Sequence, residues 1–232
     1  TLLDAVNAAS VKQASDPQRL ARLLRALGSG GEQRLEALRE LRNYGVTAVP
    51  GLLQILHSPA RKPQHEVILY ALVQMGEDVI PPLMGALESP NTDFQAAVIM
   101  ALGHLKAEAA VPYLWYPALA SDVPGLKASA RQALARILAI PPAQVEQYSS
   151  ENVAGKLIAA ARESADGQRA WELDLEGKVT LWHWDPARNT VIKQSTVPDR
   201  ANDVAAVRFS REALLLSPNR RDAQVLYLTL AL

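Results

Sequence analysis

The stretch that decides the fold lies in the first half of the chain, where one short pattern occurs three times. Residues 45–53 read GVTAVPGLL, residues 76–83 read GEDVIPPL, and residues 110–112 read AVP. The aligned proline of each copy follows that of the previous copy after 31 residues. A fixed spacing of this size is typical of proteins built from repeated pairs of secondary-structure elements.

Apolar residues after each proline recur at intervals of three or four residues, with Trp115 and Leu119 in the third copy. Leu53 and Leu56 stand three and six positions after Pro50, and Met84 and Leu87 stand at the same distances from the second proline. This spacing places them on one side of a helix. Proline fits the first helical turn because its missing N–H is not needed there. Each unit is therefore predicted to be two antiparallel helices joined by a short turn.

The same pattern predicts four helix pairs. First helices are expected near 18–27, 46–57, 78–88 and 108–119, and second helices near 31–43, 64–75, 92–105 and 125–138. One pair cannot bury its own apolar face, so neighbouring pairs are expected to stack into a right-handed α-solenoid. We assign residues 1–16 to an N-terminal helix or lead-in and residues 17–140 to the solenoid.

Residues 17–140 resemble bacterial HEAT repeats of the short kind found in bilin (PBS) lyases, and 45–53 and 76–83 carry the resemblance. It implies a mostly α fold whose second helices line a concave inner face. That family often has an acidic residue and an arginine early in the second helix, a feature matched here by Arg34 and Arg131. The resemblance therefore does not imply a ligand held by a regular row of arginines.

Strand-forming sequence appears in the second half of the chain. Residues 171–176, WELDLE, alternate apolar and acidic side chains, and residues 178–184, KVTLWHW, are rich in β-forming residues. Residues 185–189, DPARN, have a turn sequence, and residues 191–197 supply a returning strand. We predict a small antiparallel β-meander of two or three strands within 171–197.

Helical sequence surrounds this meander. Helices are predicted at 151–164 and 222–232. Ala205, Phe209 and Ala213, followed by Pro218 and Asn219, resemble the second helix of a tetratricopeptide repeat and its exit turn. The resemblance implies tetratricopeptide-like helices across residues 141–232, with the meander inserted among them.

Composition excludes several classes of protein. The 232 residues are 49% hydrophobic with a net charge of zero, which argues against disorder and against a general attraction to nucleic acid or anionic lipid. No apolar run approaches the roughly 20 residues of a membrane-spanning helix. The lack of cysteine excludes disulfides and thiolate metal sites but leaves the compartment open. The chain ends in an apolar run, so we expect a fragment of a longer protein.

The sharpest indication of chemistry is the pair His65-Glu66. Glu-and-His pairs at the start of HEAT second helices form the di-iron site of deoxyhypusine hydroxylase, and residues 65–76 resemble one such helix. Two irons need several such pairs. The positions taken as equivalent, 31–32, 95–96 and 127–128, contain no histidine. The pattern therefore favours a solvated or capping role for His65.

The remaining polar side chains give no stronger indication of a cofactor or a catalytic group. His57, His104 and His183 have no histidine three or four residues away, so no zinc motif is present. Glu172, Asp174 and Glu176 would share one strand face, where a cation site and a solvated face are both compatible with the pattern. No cofactor, metal or catalytic residue is predicted.

Two tryptophans are predicted to form part of an interaction surface. Trp182 and Trp184 share one face of a strand. If Leu173 lies opposite Leu181, that face points away from the buried side, and the rings would be exposed for recognition. The alternative is that both rings pack on flanking helices.

Charge is uneven along the chain. Residues 17–62 contain eight basic and three acidic side chains, whereas residues 63–122 contain one basic and seven acidic side chains. Arg34, Arg39 and Arg42 belong to the basic segment, for which a solvated face is the default interpretation. The alternative is a basic end that attracts acidic partners or phosphate, and these three arginines are then candidates for the interaction surface.

The sequence favours a non-catalytic helical-repeat scaffold that binds a protein or peptide. An enzyme or enzyme subunit of the bilin-lyase type is the alternative. A DNA-binding protein like the HEAT-like alkylpurine glycosylases is less favoured, because the middle of the chain is acidic. The sequence does not identify the partner, and no membrane contact is expected.

Overall fold

The computed structural model describes residues 16–231, which divide into two compact units. Unit 1 comprises residues 16–105 and 182–192, and unit 2 comprises residues 106–181 and 193–231. The chain thus leaves unit 1 after its third helix pair and returns to it later for one short segment. The division at residue 140 expected from the sequence stays a prediction. The lead-in expected over residues 1–16 lies outside the described residues, apart from Asp16.

Unit 1 contains three helix pairs. The first helices of the pairs are α1 (Pro17–Ser29), α3 (Val49–His57) and α5 (Ile80–Ala86). The second helices are α2 (Gly31–Tyr44), α4 (His65–Met75) and α6 (Thr92–His104). First helices contact first helices of the next pair, and second helices contact second helices. Unit 1 is therefore built as two layers of helices.

The repeated prolines occupy the same place in each pair. Pro50 and Pro81 are the second residues of α3 and α5, and Pro112 is the second residue of a helix in unit 2. The turns before α3 and α5 contain Gly45 and Gly76, whose φ angles of 51° and 89° are ones that side chains disfavour. The prediction that the three prolines stand at matching helix starts is confirmed.

Leucines form most of the core between the two layers. The fully buried large side chains of unit 1 include Leu27, Leu41, Leu52, Leu53, Leu56, Ile68, Leu72, Leu83, Ile99 and Leu102. They come from both helices of every pair, at the spacing that the sequence pattern predicts. Burial of such a side chain contributes about 1.5–3 kcal/mol, so the stacked pairs are stabilised mainly by this shared apolar layer.

Unit 2 is also helical. Its helices are α7 (Val111–Ala120), α8 (Pro124–Ile137), α9 (Pro142–Glu146), α10 (Ser150–Ala165), α11 (Pro198–Leu216) and α12 (Arg221–Ala231). Helices α10 and α11 are antiparallel: Arg220, just after α11, donates to the Glu151 carbonyl at the start of α10 over 3.0 Å. Phe209 is completely buried and meets Tyr113 edge to face at 5.0 Å. Helix α9 was not expected from the sequence.

The β-structure is a hairpin of two strands, β1 (Val179–Asp185) and β2 (Thr190–Thr196). The strand considered for residues 171–176 is not formed. Leu173 makes a single bridge, and its partner is Val179 rather than Leu181. The reason is local, because the Asp174 carboxylate accepts hydrogen bonds from the backbone N–H groups of Glu176 and Lys178. These bonds close a tight turn where the strand would have continued.

The structure confirms a mostly α fold with a small two-stranded antiparallel sheet. Within residues 16–231, no single helix is long and apolar enough to cross a membrane. One bent pair of helical segments, Pro59–Met75 with Glu77–Ala86, is long and apolar enough when the two segments are taken together, by length and composition alone.

Candidate interaction surface

Four side chains of second helices make the same kind of hydrogen bond. In each helix pair, a nitrogen of the second helix hydrogen-bonds a backbone carbonyl at the end of the first helix. The contacts are Arg34 to Leu27, His65 to Ser58, Gln95 to Leu87 and Arg131 to Ala118, at 2.9, 3.1, 2.9 and 3.0 Å. The last carbonyls of a helix lack intrahelical partners. We call Arg34, His65, Gln95 and Arg131 the ladder residues.

The ladder explains why His65 stands at the start of α4. Its ring Nε2 donates to the Ser58 carbonyl, so His65 takes the place of the arginine found in the first pair. The structural equivalents of His65 are Arg34, Gln95 and Arg131, which corrects positions 31–32 and 127–128 in the sequence-based alignment. In the part of the chain that the structure describes, no three His, Asp or Glu side chains are grouped so that they could hold a metal ion.

The three arginines of α2 singled out in the sequence differ in their surroundings. Arg34 belongs to the ladder, and its guanidinium lies 5.9 Å from the centre of the Tyr70 ring. Arg42 donates through Nε to the Gln74 carbonyl over 2.7 Å, near the end of the neighbouring second helix. Arg39 lies on the exposed side of α2. Thus two of the three join parts of the fold, and Arg39 is directed to solvent.

The two tryptophans are half-buried and lie against unit 1 helices rather than beside the arginines. The Trp184 ring is 5.0 Å from the His57 ring and 5.1 Å from the Phe94 ring, centre to centre. Burial in this cluster lowers the pKa of His57, because the charged imidazolium loses water contacts. The backbone of Trp182 is so close to Gly85 that a Cβ on this glycine would overlap it.

Polar contacts fix the same segment, residues 182–192, on α3 and on the turn after α5. Thr190 donates to the Pro50 carbonyl over 2.6 Å, and Gln54 donates to the Arg188 carbonyl over 3.1 Å. Glu88 uses both carboxylate oxygens: one accepts from the Trp184 backbone N–H at 3.1 Å, and the other lies 3.3 Å from the His183 ring. We call this covered side, formed by α3, α5 and residues 182–192, the first-helix face.

The second helices of unit 1 have a different exterior. Leu35, Tyr70 and Met100 belong to α2, α4 and α6 and have exposed fractions of 56%, 41% and 37%. Tyr70 and Met100 each stand five residues after a ladder residue, as the exposed Arg39 does in α2. They therefore lie at corresponding places on adjacent helices. We call the surface formed by Leu35, Arg39, Tyr70 and Met100 the second-helix face.

The acidic triplet after Trp171 is engaged locally. Asp174 closes the turn described above, and Glu176 pairs with Lys178 at 2.7 Å. These contacts stabilise a solvated turn, in line with the second of the two interpretations drawn from the sequence.

Comparison with known families agrees with this geometry. Residues 49–135 match the family of HEAT repeats. This segment is therefore similar to HEAT repeats. It runs from α3 to α8 and includes three of the four ladder residues, while the pair α1 and α2 precedes it. No curated protein and no solved structure was found to match the chain. HEAT repeats are generally protein-interaction scaffolds.

Sequence reasoning missed the groups that attach residues 182–192 to the helices. Gln54 and Glu88 contact this segment across about 100 residues or more of intervening chain. Neither residue interrupts the helical sequence pattern around it, so nothing in the sequence marks it out. The signal that was present is the pair of tryptophans, because two large rings on one face of a short strand need a surface to cover them.

Proposed function

We propose that this HEAT-repeat chain is a non-catalytic scaffold that binds another protein through the second-helix face of unit 1. The observation that carries the proposal is the contrast between the two faces. Residues 182–192 cover α3 and the end of α5, while Leu35, Tyr70 and Met100 stay exposed on the second helices. Single exposed apolar residues are ordinary on protein surfaces. Here Tyr70 and Met100 stand at the same position of two adjacent helices, and Leu35 lies one turn before the equivalent position of the third.

The side chains of this face suit a protein partner. Tyrosine, methionine and arginine are enriched in protein interfaces, and Tyr70, Met100 and Arg39 supply one of each. Tyr70 combines a large apolar area with a hydroxyl that can donate a hydrogen bond. Arg39 can form a bidentate pair with a carboxylate on the partner. The expected partner surface is therefore apolar with an acidic group beside it.

Site-specific photo-crosslinking in the native host tests this proposal. A photoreactive phenylalanine analogue replaces Tyr70 in one variant, Met100 in a second and Arg25 in a third. Arg25 is an exposed residue of the first helix α1 and serves as the matched control. We expect one protein to be crosslinked from positions 70 and 100 and not from position 25. Equal crosslinking from all three positions would contradict the proposal.

A binding measurement follows with the protein so identified. The double variant Tyr70→Ser, Met100→Ser is expected to bind about tenfold or more weakly, because two apolar contacts are lost from the interface. The single variant Arg25→Ser is expected to keep the affinity of the parent chain. Circular dichroism checks that each variant remains folded.

We also propose the finer classification suggested by the sequence. In it, residues 17–140 form a right-handed solenoid of the bacterial, bilin-lyase-like HEAT type, and α10 to α12 are tetratricopeptide-like. Support comes from the proline spacing and from the antiparallel packing of α10 on α11. An experimental structure compared with both repeat types tests this assignment.

A further inference from the structure

Unit 2 contains an open cleft outside the surface described above. It has two adjoining hollows, of about 620 Å³ and about 390 Å³, that share Tyr148 and Lys156. Both hollows are open to solvent. The larger hollow is bordered by the polar side chains of Gln144, Gln147 and Asn152. The smaller hollow is lined mainly by apolar residues.

Aromatic and aliphatic side chains build the smaller hollow. Trp115 of α7 and Leu157 of α10 are buried and line it, and Leu138 and Ile140 border it where the chain leaves α8. The Trp115 ring meets the Tyr148 ring edge to face at 5.0 Å. Such a hollow can accept one large apolar side chain, which gains about 1.5–3 kcal/mol when it leaves water.

Lys156 stands where the two hollows meet. Its Nζ lies 5.3 Å from the centre of the Tyr148 ring and 5.9 Å from that of Trp115, so the two rings hold the ammonium in place. Among residues 16–231, no carboxylate oxygen lies within ion-pair distance of this nitrogen. Two acids that precede Lys156 in the chain are engaged elsewhere: Glu146 pairs with Arg131 at 3.1 Å, and Glu151 with Arg220 at 3.6 Å.

The amides of the larger hollow provide further hydrogen-bonding groups. Gln144 and Gln147 are exposed there, and each amide can both donate and accept, as a peptide backbone does. The Asn152 side-chain oxygen accepts from Ser149 in the cap of α10, so its NH₂ group is left to donate into the cleft. The hollow therefore matches a polar chain that alternates donors and acceptors.

We infer that this cleft binds an extended peptide segment of a partner protein in which a large apolar side chain stands next to a carboxylate. The apolar side chain enters the hollow beside Trp115. The carboxylate pairs with Lys156, whose charge is not balanced within the described residues. The peptide backbone hydrogen-bonds Gln144 and Gln147. This site lies in unit 2 and does not depend on the second-helix face, so either proposal can fail alone.

Selection from a displayed library of random short peptides against the whole chain tests the inference. We expect enriched peptides to carry Leu, Ile, Phe or Trp directly beside Asp or Glu. Their affinities are then measured by fluorescence anisotropy. Lys156→Gln is expected to weaken binding about tenfold, the usual worth of one charge-assisted hydrogen bond. Lys127→Gln, a lysine variant in α8 of the same unit, is the matched control and is expected to change affinity less than twofold.

Two further measurements make the result decisive. Leu138→Ser is expected to weaken binding of the same peptides several-fold. The double variant Tyr70→Ser, Met100→Ser is expected to bind them with the affinity of the parent chain. Octanoate serves as a probe that is amphiphilic but has no peptide backbone. Equal affinity of the selected peptides for Lys156→Gln and for the parent chain would overturn the inference. Binding of octanoate without binding of any selected peptide would also overturn it.

Discussion

The two helix layers of unit 1 share one repeat pattern but have different surroundings. Residues 182–192 contact the first helices α3 and α5 and place Trp184 against His57. The second helices expose Tyr70 and Met100 at corresponding positions. The apolar spacing accounts for the core of every pair equally well. A segment outside the repeats therefore decides which face of the repeats remains available to a partner.

The largest expected effect comes from removing the ring that covers the first-helix face. Trp184→Ala is expected to lower the free energy of unfolding by about 2–3 kcal/mol, less than for a fully buried tryptophan because the ring is half-buried. Urea denaturation measures the change. Leu175→Ala, at a fully exposed position, is the control and should leave stability unchanged. Equal stability of both variants would mean that Trp184 does not pack against the helices in solution.

The next prediction concerns the close approach of β1 to α5. A side chain at Gly85 would overlap the Trp182 carbonyl group, so Gly85→Ala is expected to cost about 1–3 kcal/mol through forced displacement of residues 182–192. Gly28→Ala is the matched control, because Gly28 is helical and a Cβ there meets no atom within 4 Å. The control should be neutral or more stable, since alanine favours helix. Parallel thermal melts compare the two.

A smaller effect is expected at the seam between the layers. Gln95→Ala removes the donor to the Leu87 carbonyl and should destabilise the chain by about 1 kcal/mol. Gln132→Ala, at an exposed position of α8, provides the comparison and should change stability little. Urea midpoints measure both. If the two variants were equally stable, the ladder contact would not contribute to holding the layers together.

His57 gives the first-helix face a dependence on pH. Burial lowers its pKa in the folded chain, so the unfolded chain binds the proton more readily. Stability contributed by neutral His57 is therefore present above the unfolded pKa of about 6.5 and is lost as pH falls below it. We expect His57→Gln to lose less stability than the parent chain between neutral and mildly acidic pH. Identical pH profiles would contradict this assignment.

The smallest effect is expected on the second-helix face. Tyr70→Ser and Met100→Ser should each change the free energy of unfolding by no more than about 0.5 kcal/mol, because both side chains are exposed in the free chain. The same variants are expected to impair partner binding. A loss of stability as large as that of Trp184→Ala would show that these residues serve the fold rather than a partner.

Local sequence patterns were enough to predict where the helices lie. The placement of Pro50, Pro81 and Pro112 at matching helix starts follows from apolar spacing and from the tolerance of the first turn for proline, both of which act within a few residues. The helices over 151–164 and 222–232 were likewise predicted to within one residue at each end. The failed strand at 171–176 shows the limit, because Asp174 closes a turn that alternation alone does not reveal.

The surfaces could not be predicted in the same way, because they are formed by contacts between residues far apart in the sequence. Trp184 meets His57 and Phe94 across about 90 residues or more, and no periodicity encodes that meeting. Likewise, the lack of an ion-pair partner for Lys156 among residues 16–231 becomes apparent only when Arg131 is seen to engage Glu146. The basic segment of α2 was visible in the sequence, but the use of Arg42 as a donor to the next helix was not.

Because unit 1 is completed by residues 182–192, it is not one continuous stretch of the chain. A nascent polypeptide that has been synthesised only as far as residue 105 lacks the ring that shields His57 and Phe94. At a synthesis rate of about 5–20 residues per second, residues 182–192 follow roughly 4–17 s later. Throughout that interval the emerging helices present a bare apolar surface at the ribosome, where chaperones have the opportunity to bind it.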